Sequence, residues 1–341
     1  MLRGVLSGFG AVAAQAHLPG WRAQPEVSLA AIHEPSPERR HQALKLLKNV
    51  RIYDDFDLML EGEAPDFVDI ASPPAFHAAA ARKALAAGAH VLVEKPLCLD
   101  PTEFDDLEKL AAANRRVLMC VHNWKHAPPY HTAHQLIASG RLGRIVHLVL
   151  TRWRPGPAGA GGTAVNGERW RTDLKSGGGI LIDHGWHTLY LAQWLIGGVA
   201  PMTVSAWLDR PDGAAAEDFA DLRLEYPDRR LASINLSWRA TVRRTSAAIF
   251  GTNGALEIDG DQVVLTDRSG NSRDHSVADQ PDDSYHAAWF VKMAAEFVDA
   301  IAQGHGGAVA ARNLAEAKSA VLAIAAARRS AASDGAPMRL V

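Results

Sequence analysis

Asp183 and His187 stand four residues apart in the stretch Gly177-Gly178-Gly179-Ile180-Leu181-Ile182-Asp183-His184-Gly185-Trp186-His187. On a helix that spacing puts a carboxylate and an imidazole on one face, close enough to serve one bound molecule. An imidazole titrates near neutrality and is the side chain best suited to take a proton from a hydroxyl. The residues that follow, Leu189, Tyr190, Leu191, Trp194, Leu195 and Ile196, are apolar nearly all round, so a buried helix with two enclosed polar groups is predicted. Enclosed polar groups are costly without a partner, and a substrate hydroxyl is the partner their chemistry suits. Lys95 is the third such group. It stands between an apolar strand and Pro96, which removes a donor and fixes the turn, so its ammonium reads as aimed. A surface lysine paired with Glu94 is the plainer alternative.

The elements around these residues say what positions them. Arg3 to Ser7 is a short apolar strand that leads into Gly8-Phe9-Gly10-Ala11-Val12-Ala13 and then a helical pattern. Glycines in such a turn let the backbone approach a pyrophosphate at the helix N-terminus, and Ala13 stands where the helix packs on the strand. A second strand, Val27 to Ile32, ends at His33-Glu34, and Glu34 can accept both ribose hydroxyls of an adenosine. Its charge repels a 2′-phosphate, which favours NAD, while Arg39 or Arg40 leaves NADP open. Further strands at Arg51 to Tyr53, Phe67 to Ala71, Val91 to Glu94 and Val117 to Val121 alternate with helical segments such as Phe76 to Ala87 and Asp105 to Ala113. This alternation predicts a doubly wound parallel sheet, with ligands beyond the strand carboxyl ends. Those ends carry Ser72-Pro73-Pro74-Ala75-Phe76-His77, Glu94-Lys95-Pro96 and His122-Asn123-Trp124-Lys125.

The pattern changes after Ile145. One strand there leads into the glycine-rich segment Pro155 to Gly167, read as a surface loop of the kind that closes over active sites. Trp170 beside Arg171 suits a sugar face with its hydroxyls, or a carboxylate, and suits an interface or core aromatic equally. Short strands at Thr203 to Leu208, Phe219 to Tyr226, Arg230 to Trp238, Ser246 to Phe250, Ala255 to Ile258 and Val263 to Thr266 predict one largely antiparallel sheet. Covered by helices on one face, it leaves the other for subunit pairing. Tyr285 to Ala302 and Leu314 to Arg329 read as helices. A dinucleotide-binding domain over 1–123 and an α+β substrate-binding and oligomerisation domain over 124–341 are expected, with the C-terminal helices free to pack back on the first.

Composition sets the outer bounds. The chain has 341 residues, 48% hydrophobic and 22% charged, which suits roughly two globular domains. A net charge of -2 points to neither nucleic acid nor an anionic membrane as partner. The two cysteines, Cys98 and Cys120, lie in apolar surroundings, against a disulfide framework and for a reducing compartment. The Met1-Leu2-Arg3 start with Ala14-Gln15-Ala16 copies a secretory signal superficially, yet its cleavage would delete the first strand. No apolar run is long enough for a membrane span, so a cytoplasmic protein is expected. Among 15 histidines, His122, His126, His131 and His134 cluster in sequence. No accompanying motif supports a metal site, and none is expected.

Taken together, Gly8-Phe9-Gly10-Ala11-Val12-Ala13, Ser72-Pro73-Pro74 with His77, Glu94-Lys95-Pro96, and Gly177-Gly178-Gly179 with Asp183, Gly185 and His187 resemble the glucose-fructose oxidoreductase, inositol dehydrogenase and MocA family, and the likeness runs from Leu2 to about Leu340. The resemblance implies a Rossmann domain, an open-sheet domain that forms homodimers or homotetramers, and hydride exchange between a nicotinamide cofactor and a sugar, inositol or related polyol. By the same resemblance Lys95 is similar to the family lysine that touches nicotinamide and reacting oxygen, Asp183 to the residue that orients substrate and base, and His187 to the proton-transfer residue. Gly8, Phe9, Gly10, Ala11, Val12, Glu34, Ser72, Pro73, Pro74, His77, Glu94 and Asn123 fall at cofactor positions. Trp124, Trp170, Arg171 and His184 join Lys95, Asp183 and His187 as substrate contacts. An NAD-assisted glycosidase or lyase with no net redox change, and a non-catalytic cofactor-binding sensor, are the alternative functions.

Overall fold

Strands covered on both faces need continuous apolar runs, and Val91, Leu92 and Val93, all buried in the strand His90–Val93, are one. The computed structural model describes residues 1–157, 170–211, 213–214, 216–279 and 285–340. They divide into two units, Met1–His126 with Gln280–Ala317 and Ala127–Asp279 with Lys318–Val341.

In the first unit six strands, β1 (Leu2–Ser7), β2 (Val27–His33), β3 (Arg51–Tyr53), β4 (Phe67–Ile70), β5 (His90–Val93) and β6 (Leu118–Cys120), form one sheet in the order β3-β2-β1-β4-β5-β6. Every pairing in it is parallel. The order reverses at β1 and β4, so the carboxyl ends of these two strands flank the crevice where doubly wound sheets bind ligands. The helix Ala287–Gln303 returns to this unit, and its Phe290, Met293 and Phe297 pack into a core with Trp21, Phe67, Leu92 and Met119. Burying one such aromatic side chain contributes about 2 to 3 kcal/mol.

The second unit holds a nine-stranded sheet: β7 (Ile145–Trp153), β8 (Thr203–Asp209), β9 (Phe219–Glu225), β10 (Leu231–Ser237), β11 (Arg244–Gly251), β12 (Gly254–Asp259), β13 (Gln262–Asp267), β14 (Ser272–Asp274) and β15 (Met338–Arg339). Its order is β14-β13-β12-β11-β7-β10-β9-β8-β15. Burial alternates along β9 and β10, as one covered face requires. The predicted antiparallel sheet is therefore found, with one exception at its centre. There β10 runs parallel to β7, Leu231 facing His147 and Ser237 facing Trp153.

Two helices depart from the regular winding that the spacing predicts. After the glycine turn, Ala13–His17 forms a π-turn before the short α-helix Leu18–Arg22. Pro19 has no N–H to continue an α-helical ladder and its ring would strike the carbonyl four residues back, so the chain widens ahead of it. A second π-turn, Leu181–Gly185, precedes the α-helix Trp186–Leu195. Asp183 lies in the wide turn and His187 in the regular helix. A uniform step from one to the other does not apply.

Candidate active site

In the first unit Gly8 adopts φ +91°, and a Cβ on it would stand 2.8 Å from the backbone N of Ser72 and 2.9 Å from the carbonyl carbon of Ala71. Only glycine fits this close passage of β1's end past β4's. Above Gly10 the situation is opposite, since a Cβ there would meet nothing within 4 Å. At the carboxyl ends of β4 and β6 on the same sheet, Ser72 Oγ and Asn123 Oδ1 are buried without a hydrogen-bond partner among the described residues. An open approach over a glycine turn and two orphaned oxygens fit a dinucleotide, whose ribose and carboxamide groups satisfy such atoms.

Glu34 is 1% exposed, more enclosed than a ribose ligand at a strand end was expected to be. Its carboxylate accepts from Phe9 N at 2.7 Å and Ser36 N at 2.9 Å, with Arg39 3.9 Å away. It thus holds the glycine turn, and each carboxylate oxygen retains a lone pair for a ribose hydroxyl. Arg40 donates to the carbonyls of Glu34 and Pro35. Pro73 and Pro74 shape the turn after β4, with Pro74 opening a short 3-10 helix. Ala11 and Val12 follow Gly10 into the π-turn.

His77 needs a correction. It is 0% exposed, with Nδ1 at 2.6 Å from the Pro96 carbonyl and Nε2 at 2.7 Å from the Ser72 carbonyl. Both ring nitrogens face backbone carbonyls, to one of which a neutral ring donates, so the polar edge of His77 is taken up between the Ser72 and Lys95-Pro96 turns rather than turned to a cofactor. Burial, more than any neighbour, holds its pKa below the usual imidazole value.

Behind Lys95 lies a network that the sequence reading did not identify. Glu94 accepts from the Lys95 backbone N at 2.9 Å and stands 3.1 Å from His17 Nε2. On its other side His17 Nδ1 is 2.7 Å from Asp69 Oδ2, which also accepts from Trp21 Nε1 at 2.6 Å, and Phe290 stacks on the imidazole at 3.9 Å. A signal was present, because Asp69 is a lone charge in an otherwise apolar strand and a buried charge needs a partner. Burial works against the imidazolium, but Asp69 and then Glu94 more than reverse it and raise its pKa to about 9. A group whose folded pKa is raised stabilises the fold below its unfolded value and loses that contribution as pH rises through the folded one. The thermal midpoint of the wild-type protein is therefore expected to fall between about pH 6.5 and about pH 9, and His17→Gln to flatten that limb. Parallel melting curves across this range are the check, and identical limbs in the two proteins would contradict it.

Trp124 lies in the same unit against Trp289 at 5.4 Å, edge to face, with His286 stacked on Trp289 at 3.6 Å. His122 and Lys125 both reach Glu316, at 3.1 and 2.9 Å, and His126 reaches Glu296 at 3.0 Å. Of the histidines clustered in sequence, His122 and His126 thus take separate carboxylates, His131 lies 3.2 Å from the Gln135 amide, and His134 stacks on Trp194 at 4.0 Å in the second unit. Among the described residues no three His, Cys, Asp or Glu side chains gather as a metal-holding group.

In the second unit the helix Trp186–Leu195 is buried almost throughout, and Asp183 and His187 are 4% and 8% exposed. His187 Nδ1 stands 3.0 Å from the Tyr190 hydroxyl one turn on. Arg171 Nε is 3.3 Å from Asp183 Oδ2, and its guanidinium lies over the Trp170 ring at 4.3 Å. His184 Nδ1 is 3.5 Å from the same carboxylate oxygen and accepts from Trp238 Nε1 at 3.3 Å. Trp170, Arg171, Asp183 and His184 are therefore gathered as the sequence suggested. Trp238, Arg154 and Glu217 join them from distant positions. Gly179, at φ +104°, faces the Glu217 side chain, which a Cβ would overlap, and Glu217 accepts from Ile180 N at 2.9 Å through its carbonyl. Burial raises the Glu217 carboxyl pKa, with Arg328 at 3.9 Å opposing. Most of the expected loop over Pro155 to Gly167, from 158 onward, lies outside the described residues.

Residues 2–122 match the model of an oxidoreductase family with an NAD-binding Rossmann fold, and residues 130–257 match the GFO/IDH/MocA C-terminal domain. An uncharacterised oxidoreductase of Synechocystis sp. is 27% identical over 280 residues, which cover 79% of this chain and 71% of that protein. The D-glucoside 3-dehydrogenase of Escherichia coli is 28% identical over 205 residues, 60% of this chain and 57% of that enzyme. Among solved structures, GenD2 from gentamicin A biosynthesis, in complex with NAD, superposes with a TM-score of 0.82 at 25% identity, covering 99% of this chain and 96% of that one.

Proposed function

Since this chain belongs to the GFO/IDH/MocA oxidoreductase family with an NAD-binding Rossmann fold, we propose that it is a dehydrogenase of CH–OH groups, that its substrate is a sugar, inositol or related polyol, and that Lys95, Asp183 and His187 carry the reaction. The observation that supports this most is the burial of a carboxylate and an imidazole, Asp183 and His187, on one helical stretch of the substrate domain. NAD, when bound, supplies the acceptor for the hydride that leaves the carbinol carbon. His187 takes the hydroxyl proton, and the Tyr190 hydroxyl at Nδ1 holds the ring in place. Asp183 orients the hydroxyl, and the Lys95 ammonium stabilises the negative charge that grows on the oxygen. The D-glucoside 3-dehydrogenase relative supports a sugar hydroxyl as the reacting group.

A screen of sugars and polyols with NAD, followed at the absorbance of NADH, tests the assignment. Accumulating NADH is the expected result. Turnover of a glycoside without NADH favours an NAD-assisted glycosidase or lyase, and NAD binding with no turnover across the screen favours a sensor.

Cofactor choice follows from Glu34. Its charge opposes a 2′-phosphate, and Arg40 is engaged with backbone carbonyls. Glu34→Gln keeps the shape and removes the charge, so affinity for NAD is expected to weaken and discrimination against NADP to shrink by about tenfold. Fluorescence titration with both cofactors reads the ratio, and an unchanged ratio contradicts the role. For assembly, we propose pairing through the outward face of the nine-stranded sheet, where Trp207 is 66% and Phe250 39% exposed. No helix among the described residues is long and apolar enough to cross a membrane. A cytoplasmic setting is our reading, supported by Cys98 and Cys120, both buried and neither in a disulfide.

A further inference from the structure

Arg154 follows directly on β7 and lies beside the helix that carries Asp183, a position to which no role has yet been assigned. Its side chain is half-buried, and among the described residues it has no carboxylate partner. Its one side-chain hydrogen bond among the described residues is from Nη1 to His184 Nε2 at 3.4 Å. That contact is weak on length, and it competes with another. Trp238 Nε1 donates to His184 Nδ1 at 3.3 Å, and a neutral imidazole accepts at only one nitrogen. With the proton on Nε2 to suit Trp238, Arg154 faces an N–H rather than a lone pair. Holding His184 is therefore an incomplete account of the guanidinium.

The surrounding charges sharpen the point. Burial first, then the like charge of Arg243, hold the Arg154 pKa below the ordinary guanidinium range. Asp183 pulls the other way, and Arg171 adds to Arg243. Among the described residues Asp183 is the one carboxylate acting on this group, and Arg171 already stands 3.3 Å from it. Two further guanidinium groups, Arg171 and the exposed Arg243, thus bear on Arg154 against one carboxylate among the described residues. Enclosing a guanidinium without a counter-charge is unfavourable, and a neutral polyol would leave the imbalance as it stands.

We propose that the substrate carries an anionic group, a carboxylate or a phosphate, which Arg154 binds beside Asp183 and His184, making this chain a dehydrogenase of anionic sugars or polyols. The planar fork of a guanidinium matches either group through paired N–H donors. Arg171, held over Trp170, keeps Asp183 in place while Arg154 receives the anion. The Pro155 that follows fixes the backbone just past Arg154, so the side chain departs from a rigid strand end. The proposal rests on the polyol reading above and narrows it.

The test is calorimetric titration of the NAD-loaded protein with matched pairs: D-galactose against D-galacturonate, D-glucose against D-glucose 6-phosphate, and myo-inositol against its 1-phosphate. At least one anionic member is expected to bind about tenfold or more tightly than its neutral counterpart. Whether the uronate or the phosphates gain decides between the two sources of charge. Arg154→Gln is expected to close the gap and Arg154→Lys to retain part of it. Unchanged NAD affinity in both variants reports an intact fold. No preference for the anion in any pair overturns the proposal, as does a preference that survives Arg154→Gln. NADH formation in the same samples separates the two readings. Anion preference without NADH keeps this site and removes the redox roles, whereas NADH from neutral polyols with no anion preference removes this site alone.

Discussion

His187→Ala is expected to lower turnover by about three orders of magnitude with NAD still binding within about twofold of wild type. The size follows from what is removed. Hydride cannot leave a carbinol carbon while the hydroxyl proton stays in place, and general-base catalysis typically contributes 10² to 10⁴-fold. His187 is 8% exposed, so water reaches the vacated position poorly and replaces the imidazole only in part. Lys95→Met is expected to cost about 10² to 10³-fold through loss of the charge that stabilises the developing alkoxide. The methionine keeps the length of the side chain, and the backbone N of residue 95 can still donate to Glu94. Steady-state rates of NADH formation, with cofactor affinity measured separately, are the readout. Near-normal turnover in either variant would remove that residue from the reaction.

Gly8→Ala carries the second large effect. Its φ of +91° is open to glycine and strained for alanine, and the new methyl would meet Ser72 N at 2.8 Å and the Ala71 carbonyl carbon at 2.9 Å. These are backbone atoms at the end of β4. Ala71 N donates to Ser7 O at 2.8 Å, so they cannot yield without loosening the join between β1 and β4. Strain and displacement together are expected to cost about 2 to 4 kcal/mol of stability. Because Glu34 holds the adjacent Phe9 N, the turn shifts as a body and NAD affinity is expected to fall about a hundredfold or more. Gly10→Ala is the matched control, since open space lies above that residue. It should leave the melting temperature nearly unchanged while weakening NAD. Equal melting temperatures for Gly8→Ala and wild type would contradict the steric account.

What the sequence made legible was local. Strand runs, the glycine turn and Pro96 after Lys95 are all written in adjacent residues, and the parallel and antiparallel sheets were found where those patterns placed them. What it concealed depends on hydrogen-bond register or on distance along the chain. The π-turns at Ala13–His17 and Leu181–Gly185 leave no mark in apolar periodicity. His17, Asp69 and Glu94 belong to three different elements that only the sheet order brings together. His77 carries a residue type suited to a ligand, and its burial between two carbonyls could be read only once both turns were placed. Arg154 and Trp238 reach His184 from strand ends far from the helix in sequence, so nothing near Asp183 announced them.

The parallel pair at the centre of the nine-stranded sheet bears on how the chain is made. Its outer parts are meanders: β8, β9 and β10 on one side and β11 to β14 on the other are joined by short connections, so each closes a small loop. The seam of β7 with β10 has no such help, because Leu231 must find His147 across the whole intervening chain. Emerging from the ribosome, β7 waits with an unpaired edge until both meanders have been synthesised. The apolar residues Leu148 and Leu150, fully buried in the finished sheet, are uncovered for that interval. Slower or stalled translation between β7 and β10 lengthens that interval and is therefore expected to raise the yield of aggregate by way of this seam, read as the insoluble fraction on expression.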